Sequence, residues 1–312
     1  MGVIEGTRIA GSRIRPWENA GPPKSGSAGT LYSVAEAGDM LMDITNGVLY
    51  VNEGSQASPY WTPVGLDQAP LFGVSTDFRD QVGQALATAD AEGIIASSGL
   101  RVFGDGLAEN DSGLVVQTAT EGGSVGRCTT TDETAHVIAI GMEAGVMQPD
   151  QHSQLVVDVE LTHVTAITNR SGFVGFIGTA ADALVAAVTG ATTTTTLVQD
   201  DVAGVFFDTG FTDADRLYAA HNKSNESATQ DVDTGGRDTS TNIPAAATYM
   251  RLRVEIDVAG NMLVFADKAQ IASILLALDV DEECSPVVYL EANTAAGISM
   301  DVRRFATWAN RA

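Results

Sequence analysis

The chain has 312 residues, of which 44% are hydrophobic, so it is long and apolar enough to bury a substantial core. Its formal net charge of −23 at pH 7 repels phosphate backbones and argues against broad binding of nucleic acid. The 32 glycines and the modest 6% of aromatic residues favour β-structure with many turns over a bundle of helices.

Residues 1–28 are predicted to form an extended arm, because Pro16, Pro22 and Pro23 and several glycines oppose a stable helix. Residues 1–24 contain four basic and two acidic side chains, which leaves a charge of −25 for the rest of the chain. An arm with spaced apolar residues is usually ordered by a partner surface, although a frayed terminus is the alternative. The predicted anchoring residues are Ile4, Arg8, Ile9, Arg13, Ile14, Arg15 and Trp17.

Residues 29–75 are predicted to form a small β module with three short strands, at 39–43, 47–52 and 60–64. A unit of this size buries too little surface to be stable alone. We therefore expect it to pack on the main body or on a neighbouring subunit.

A linker helix is predicted within residues 76–93. Phe78, Val82 and Leu86 recur at helical spacing, and Gly93 ends the pattern. This helix either joins two β regions, where it can contribute to trimer contacts, or closes one end of the main body.

Residues 94–312 are predicted to form a large antiparallel β-sandwich of jelly-roll type, because many short strands follow one another with Gly, Asp and Asn turns. Its clearest element is a hairpin at 249–267, in which four apolar and four charged residues alternate. This period of two places the apolar set on a covered face and leaves the charged set on a face that can be open to water. The apolar set is Met250, Leu252, Val254 and Ile256, and the charged set is Arg251, Arg253, Glu255 and Asp257.

The sequence carries no catalytic signature and predicts no cofactor. None of the four histidines stands in a metal-binding pair, and His136 and His163 are expected to be structural. Cys128 and Cys284 are predicted to be buried free thiols, with a disulfide between them as the alternative. The three tryptophans are expected to pack in a core or an interface rather than to stack on sugar rings.

Aspartates crowd the loops between residues 200 and 233, and the weak candidates for metal ligands are Asp208, Asp213 and Asp215. Calcium takes about six to eight oxygen ligands, which such loops can supply. Glycosidic cleavage requires two carboxylates that flank a groove. A chain with 40 acidic residues shows such clusters by chance, so we predict neither a metal nor an enzyme.

No run approaches the roughly 20 apolar residues that span a bilayer, and the N-terminus lacks the apolar core of a signal peptide. The sequence therefore predicts a protein with no membrane segment that is made and assembled in a cytoplasm.

Four segments carry a resemblance to a known family. They are residues 172–178 (GFVGFIG), 204–208 (GVFFD), 249–257 (YMRLRVEID) and 260–265 (GNMLVF). Residues 172–310 look like a concanavalin A-like, LamG-type lectin sandwich as found in phage virion proteins, with the last two segments forming a hairpin in one sheet. Residues 38–61 separately resemble a small β module that recurs in phage head and tail proteins.

The resemblance implies a bacteriophage virion structural protein without enzymatic activity. We expect a capsid decoration (cement) protein on the outer capsid surface, a homotrimer whose arm binds the major capsid protein. The alternative is a receptor- or carbohydrate-binding head or tail fibre protein, which would recognise a host-surface glycan through long polar loops at 191–200 and 223–243. A polysaccharide-degrading enzyme is the third possibility and requires an acid pair that the sequence does not identify.

Overall fold

The computed structural model describes residues 16–64, 71–78, 85–87, 93–95, 99–105, 113–118, 124–130, 134–142, 145–165, 167–178, 184, 186–223, 229–233, 235–294 and 297–311. These residues contain 24 strands, a 3-10 turn at Pro149–Gln151 and no α-helix. Within the same ranges, no helix is long and apolar enough to cross a membrane.

The strands are, in chain order, β1 (Trp17–Asn19), β2 (Met40–Asp43), β3 (Val48–Asn52), β4 (Trp61–Pro63), β5 (Leu71–Thr76), β6 (Ala85–Ala87), β7 (Gly93–Ile95), β8 (Leu100–Phe103), β9 (Gly113–Thr118), β10 (Ser124–Thr130), β11 (Val137–Gly141), β12 (His152–His163), β13 (Arg170–Ile177), β14 (Val188–Ala191), β15 (Thr194–Leu197), β16 (Val202–Asp208), β17 (Arg216–Asn222), β18 (Thr229–Asp231), β19 (Asp238–Asn242), β20 (Met250–Asp257), β21 (Met262–Ala266), β22 (Ala269–Ile274), β23 (Ser285–Ala292) and β24 (Ile298–Arg311).

Two large sheets form the main body. Among the described residues, the first sheet has nine strands in the order β22-β21-β20-β12-β24-β10-β9-β6, with β5 also paired to β24. The second has eight strands in the order β19-β17-β16-β13-β23-β11-β8-β7. Neighbouring strands run antiparallel throughout both sheets, which confirms the predicted antiparallel β-sandwich.

The main core lies between the two large sheets. Val157 and Val254 enter it from the nine-stranded sheet, and Val174 and Val205 enter it from the eight-stranded sheet. The four apolar residues of the predicted hairpin, Met250 to Ile256 in alternation, all belong to this core. The predicted hairpin is confirmed as β20 and β21, paired in register from Leu252 and Ala266 to Ile256 and Met262.

A second core lies on the outer face of the eight-stranded sheet. There a three-stranded sheet, β14-β15-β18, contributes Val188 and Leu197 to a cluster that contains Phe206 and Tyr289 of the large sheet. The polar stretches 191–200 and 223–243 are predicted to be long surface loops, and this prediction is wrong for β15, β18 and β19. Threonine has a high strand propensity, and each strand finds a partner: β15 pairs with β14 and β18, and β19 pairs with β17 of the large sheet.

Residues 16–64, called the module below, form a separate four-stranded sheet in the order β1-β2-β3-β4. The three predicted strands of the small β module are confirmed as β2, β3 and β4. Residues 16–28, which the sequence assigned to the arm, contribute β1, which pairs in parallel with β2. The module has its own apolar core of Ala35, Leu41, Val48, Tyr50 and Trp61.

The predicted linker helix within 76–93 is wrong at the residues that the structure describes. Ala85–Ala87 is strand β6, paired with β9, and Gly93–Ile95 is strand β7, paired with β8. Phe78 has a positive φ of 59°, which is incompatible with a helix, and its side chain is buried against Gly126. Residues 79–84 and 88–92 lie outside the described residues.

The glycine-rich segment of β13 lies against the equivalent segment of β16. Gly175 pairs with Gly204, and the ring of Phe173 lies over both glycines. A Cβ atom on Gly204 would lie 2.5 Å from Cζ of Phe173 and 2.5 Å from the carbonyl oxygen of Val174. The two glycines therefore leave the space that an aromatic ring of the second core occupies.

We expect Gly204→Ala to lower the free energy of unfolding by about 1–3 kcal/mol, because the added methyl group overpacks this site. Urea denaturation measures the change. Gly297→Ala is the matched control, since among the described residues its Cβ atom would meet one atom within 4 Å, the carbonyl oxygen of Thr130 at 3.5 Å. A loss for Gly204→Ala no larger than that of the control would contradict the packing assignment.

Candidate functional site

The module covers part of the outer face of the nine-stranded sheet, which is the charged face of the β20 hairpin. The sequence predicts that this face can be open to water. That prediction is wrong for Arg253 and Glu255, which are only 1% and 2% exposed. Arg251 and Asp257, nearer the strand ends, are half-buried. A period of two shows that this face is polar, but it does not show that another part of the chain covers it.

Arg253 joins the sheet to β4 of the module. Its Nη2 atom lies 2.6 Å from Oε1 of Glu255 and donates a hydrogen bond of 2.9 Å to the carbonyl oxygen of Trp61. The guanidinium group lies over the rings of Tyr60, at 4.3 Å, and Trp308, at 4.9 Å. Both ring faces attract the cation, so aromatic contacts and an ion pair together replace the water that Arg253 loses.

A second ion pair reinforces this contact. Arg251 donates from Nε and Nη2 to the two carboxylate oxygens of Asp158 at 2.8 and 2.6 Å, and from Nη1 to Glu53 of the module at 2.8 Å. Asp158 is fully buried on β12. Burial alone would raise the pKa of Asp158, but the hydrogen bonds and charge of Arg251 hold it below its usual value.

A chain of buried hydrogen bonds links the module to three strands of the sheet. The hydroxyl of Tyr50 donates to Oδ1 of Asn310 at 3.0 Å, and Nδ2 of Asn310 donates to Oε1 of Gln154 at 3.0 Å. Gln154 in turn donates to Oε2 of Glu255 at 2.9 Å. Buried polar groups that satisfy one another in this way fix the module in one orientation on the sheet.

A cleft opens where the module stops covering the sheet. Its floor includes Glu255, Leu263 and Ser273, which are cross-strand neighbours on β20, β21 and β22. One wall is the module segment 24–28, which Gln270 fastens to the floor by accepting a 3.1 Å hydrogen bond from the backbone of Ser27. The cleft, called the module cleft below, has a volume of about 500 Å³. Its other lining residues are Gln154, Asp257, Asn261 and Leu275.

Most of the predicted anchoring residues, Ile4, Arg8, Ile9, Arg13, Ile14 and Arg15, lie outside the described residues. Trp17 is described and is half-buried on β1, where it packs on the core of the module. Trp61 and Trp308 are buried at the contact between the module and the sheet. The predicted packing role of the three tryptophans is therefore confirmed.

The three candidate metal ligands do not come together. Asp208 is buried and accepts hydrogen bonds from Gly190, Gly210 and Asn293. Asp213 lies on the surface 3.2 Å from Arg216, and Asp215 accepts a hydrogen bond from Asn242. The part of the chain that the structure describes contains no group of three or more His, Cys, Asp or Glu side chains able to hold a metal ion.

Near Asp208, the carboxyl group of Glu291 is buried on β23, two strands away from β16 in the eight-stranded sheet. Ser171, which lies between these two acids in the sheet, donates a hydrogen bond to Oε2 of Glu291. Burial, together with the nearby charges of Asp208 and Asp105, raises the pKa of Glu291 to about 7, although the Ser171 hydrogen bond lowers it. Glu291 therefore gains a proton near neutral pH, in a place that no sequence pattern marked.

The burial of the histidine and cysteine side chains tests the predictions made for them. Cys128 and Cys284 are both buried free cysteines, as predicted. His163 is buried with its Nδ1 atom 3.3 Å from Arg170, and burial together with that charge lowers its pKa to about 3. A neutral, enclosed imidazole of this kind fits the predicted structural role.

No family model matches the chain, and no curated protein matches it. Among solved structures, peanut lectin is 11% identical with a TM-score of 0.42, and the match covers 78% of this chain and 98% of that one. A carbohydrate esterase from the Shiga toxin-encoding bacteriophage phi24B is 12% identical with a TM-score of 0.41, over 73% and 99% of the two chains. An endo-β-1,4-glucuronan lyase from Trichoderma reesei is 11% identical with a TM-score of 0.45, over 70% and 95%. These similarities are too distant to identify a family or an activity.

We expect Arg253→Met to lower the free energy of unfolding by about 3–5 kcal/mol, because it leaves Glu255 buried without its partner. The double variant Arg253→Met/Glu255→Gln should recover most of that loss, since it removes the unpaired charge. Urea denaturation at pH 7 measures both changes.

Arg303→Met is the control for this experiment. Arg303 pairs with Glu160 at 3.2 Å with about a third of each side chain exposed, so its loss should cost about 1 kcal/mol or less. Equal losses in the free energy of unfolding for the two single variants would contradict the conclusion that the buried Arg253 stabilises the contact between the module and the sheet.

Glu291→Gln is expected to change how stability depends on pH. The folded pKa of about 7 lies above the usual 4.5, so the unfolded chain binds fewer protons between these values and wild-type stability falls as pH rises from about 4.5 to about 7. The variant should match wild type near pH 4.5 and exceed it at pH 8 by up to about 3 kcal/mol. Urea denaturation across this pH range tests the sign, and identical pH profiles would refute it. Ser171→Ala should shift the fall in stability to higher pH, because it removes the hydrogen bond that lowers the pKa of Glu291.

Proposed function

We propose that the chain is a non-enzymatic structural protein of a bacteriophage virion, a decoration protein that binds the major capsid protein on the outer capsid surface. The observation that supports this is the junction at residue 16. Trp17–Asn19 is paired with β2 and Trp17 packs in the module, so the basic segment 1–15 joins a fixed, acidic body. In this role the segment binds the shell and the body projects from it.

Shell binding of this kind requires buried surface and no chemistry. Stable interfaces bury about 1,200–2,000 Å² in total, which one apolar and basic segment per subunit can supply when several subunits act together. We propose a homotrimer, which would present three such segments.

The alternative role is recognition of a receptor or carbohydrate by a head or tail fibre protein. It does not require the N-terminal segment. One observation favours it, the module cleft, whose lining includes amide, hydroxyl and carboxylate side chains.

Deletion of residues 1–15 is expected to abolish co-sedimentation with capsids that lack this protein while the body stays folded. The cut must stop there, because Trp17 and the buried Ser25 already belong to the module. The matched control is Arg237→Glu, a charge change on the body, which should leave saturable binding at a fixed ratio to the shell protein. Circular dichroism verifies the fold of each variant. Capsid binding retained by the truncated protein would refute the proposal.

A further inference from the structure

We propose that residues 1–15 bind to the body of their own chain, in the module cleft and the cavity that adjoins it, while the protein is free of the shell. The inference rests on the proposed function, since this is the segment proposed to bind the capsid. It adds a regulatory step, in which the shell displaces the segment from the body. The segment combines the apolar residues Ile4, Ile9 and Ile14 with three arginines and one glutamate.

The binding surface consists of two adjoining cavities. The module cleft has a volume of about 500 Å³, and the second cavity has a volume of about 510 Å³. Ser27 and Gln270 line both, so the two cavities are joined along the border between the module and β22. A surface of this form favours an elongated ligand, such as an extended peptide segment, over a compact one.

Apolar surface predominates in the lining of the module cleft. Leu263 and Leu275 line the cleft, and Leu275 is 76% exposed, more than any other large apolar side chain that the structure describes. Leu276 is 56% exposed, and its backbone N–H donates a 3.0 Å hydrogen bond to the side chain of Asn261 in the cleft. Isoleucine side chains that cover these leucines remove apolar surface from water, which favours binding.

The charges favour a basic occupant. Residues 1–15 carry a charge of +2 and the rest of the chain −25, so the body attracts the segment. At the module cleft, Asp257 lies 3.7 Å from Lys24, whose side chain is 71% exposed. Asp267 is exposed beside the second cavity. Exposed lysine pairs are weak, so an arginine of the segment, which can bind a carboxylate through two N–H groups, can displace Lys24 or bind Asp267.

The segment is long enough to reach this surface. Lys24 lies in the wall of the module cleft, eight residues after Pro16, and eight residues span at most about 28 Å. Residues 1–15 span up to about 50 Å when extended, so at least about 20 Å remains to lie along the two cavities. The covalent connection also gives the segment an effective concentration of about 1 mM, so a weak intrinsic affinity is sufficient.

Limited proteolysis of the full chain by trypsin tests the proposal. Trypsin can cleave the segment after Arg8 and Arg13, and it does not cleave before Pro16. Mass spectrometry of the released N-terminal peptides gives the rate of cleavage. Ser273→Trp fills the module cleft from an exposed position on β22 and should raise this rate about tenfold, because it displaces the segment.

Thr196→Trp, an equally exposed strand position on β15, is the matched control and should leave the rate of cleavage unchanged. Leu275→Ser removes an apolar contact at an exposed position and should raise the rate about threefold. It replaces Ser273→Trp if that variant fails to fold, which circular dichroism shows.

Faster cleavage in the cleft variants than in the wild type and the control, at a rate independent of protein concentration, supports the proposal. Equal rates in the wild type and the cleft variants would overturn it. Protection that increases with protein concentration would overturn it too, since the segment would then bind a second copy. The assay contains no capsids, so its result is separate from the co-sedimentation experiment that tests shell binding.

Discussion

The structure depends on a buried charge. Arg253 lies on β20, the third strand of the nine-stranded sheet, and the module supplies the carbonyl oxygen and the Tyr60 ring that it contacts on the outer side. The pair with Glu255 does not by itself guarantee stability, since removing two charges from water costs about as much as their attraction returns. Its main effect is specificity, because in this orientation of the module Arg253 reaches Trp61, Arg251 reaches Glu53 and the Tyr50–Asn310–Gln154–Glu255 chain of hydrogen bonds is complete.

This constraint also explains why the module cleft exists. The module has 49 described residues and is too small to cover a sheet of nine strands. The edge of the module therefore lies over the sheet and leaves neighbouring strand residues uncovered. At that edge the polar side chains of β20 to β22 pass from buried to exposed. Glu255 lies at the transition, paired with Arg253 on the covered side and lining the cleft on the other.

Local patterns predicted the parts of the fold that local geometry decides. The alternation in β20 and the turn at residues 258–261 specify a hairpin whatever surrounds them, and the three module strands follow from the same rule. The prediction of a helix at 76–93 is wrong because apolar residues three or four positions apart also occur by chance in strands and turns. At Phe78 the outcome was decided by a space beside Gly126, which belongs to a distant part of the chain.

The candidate site was harder to predict for the same reason. The module cleft combines residues near 25, 154, 255 and 273, and no motif spans such separations. The alternation of Arg253 and Glu255 identified a polar face, whereas its cover comes from Trp61, almost 200 positions earlier. The anchoring residues 4–15 remain a prediction from composition alone.

The position of β24 has a consequence for how the protein is made. This strand of 14 residues pairs with β12 on one side and with β10 and β5 on the other, so it occupies the centre of the nine-stranded sheet. During synthesis the sheet therefore stays divided, with the edges of β12 and β10 unpaired, until residues 298–311 have left the ribosome. Such long-range closure is slow, and exposed strand edges attract other chains.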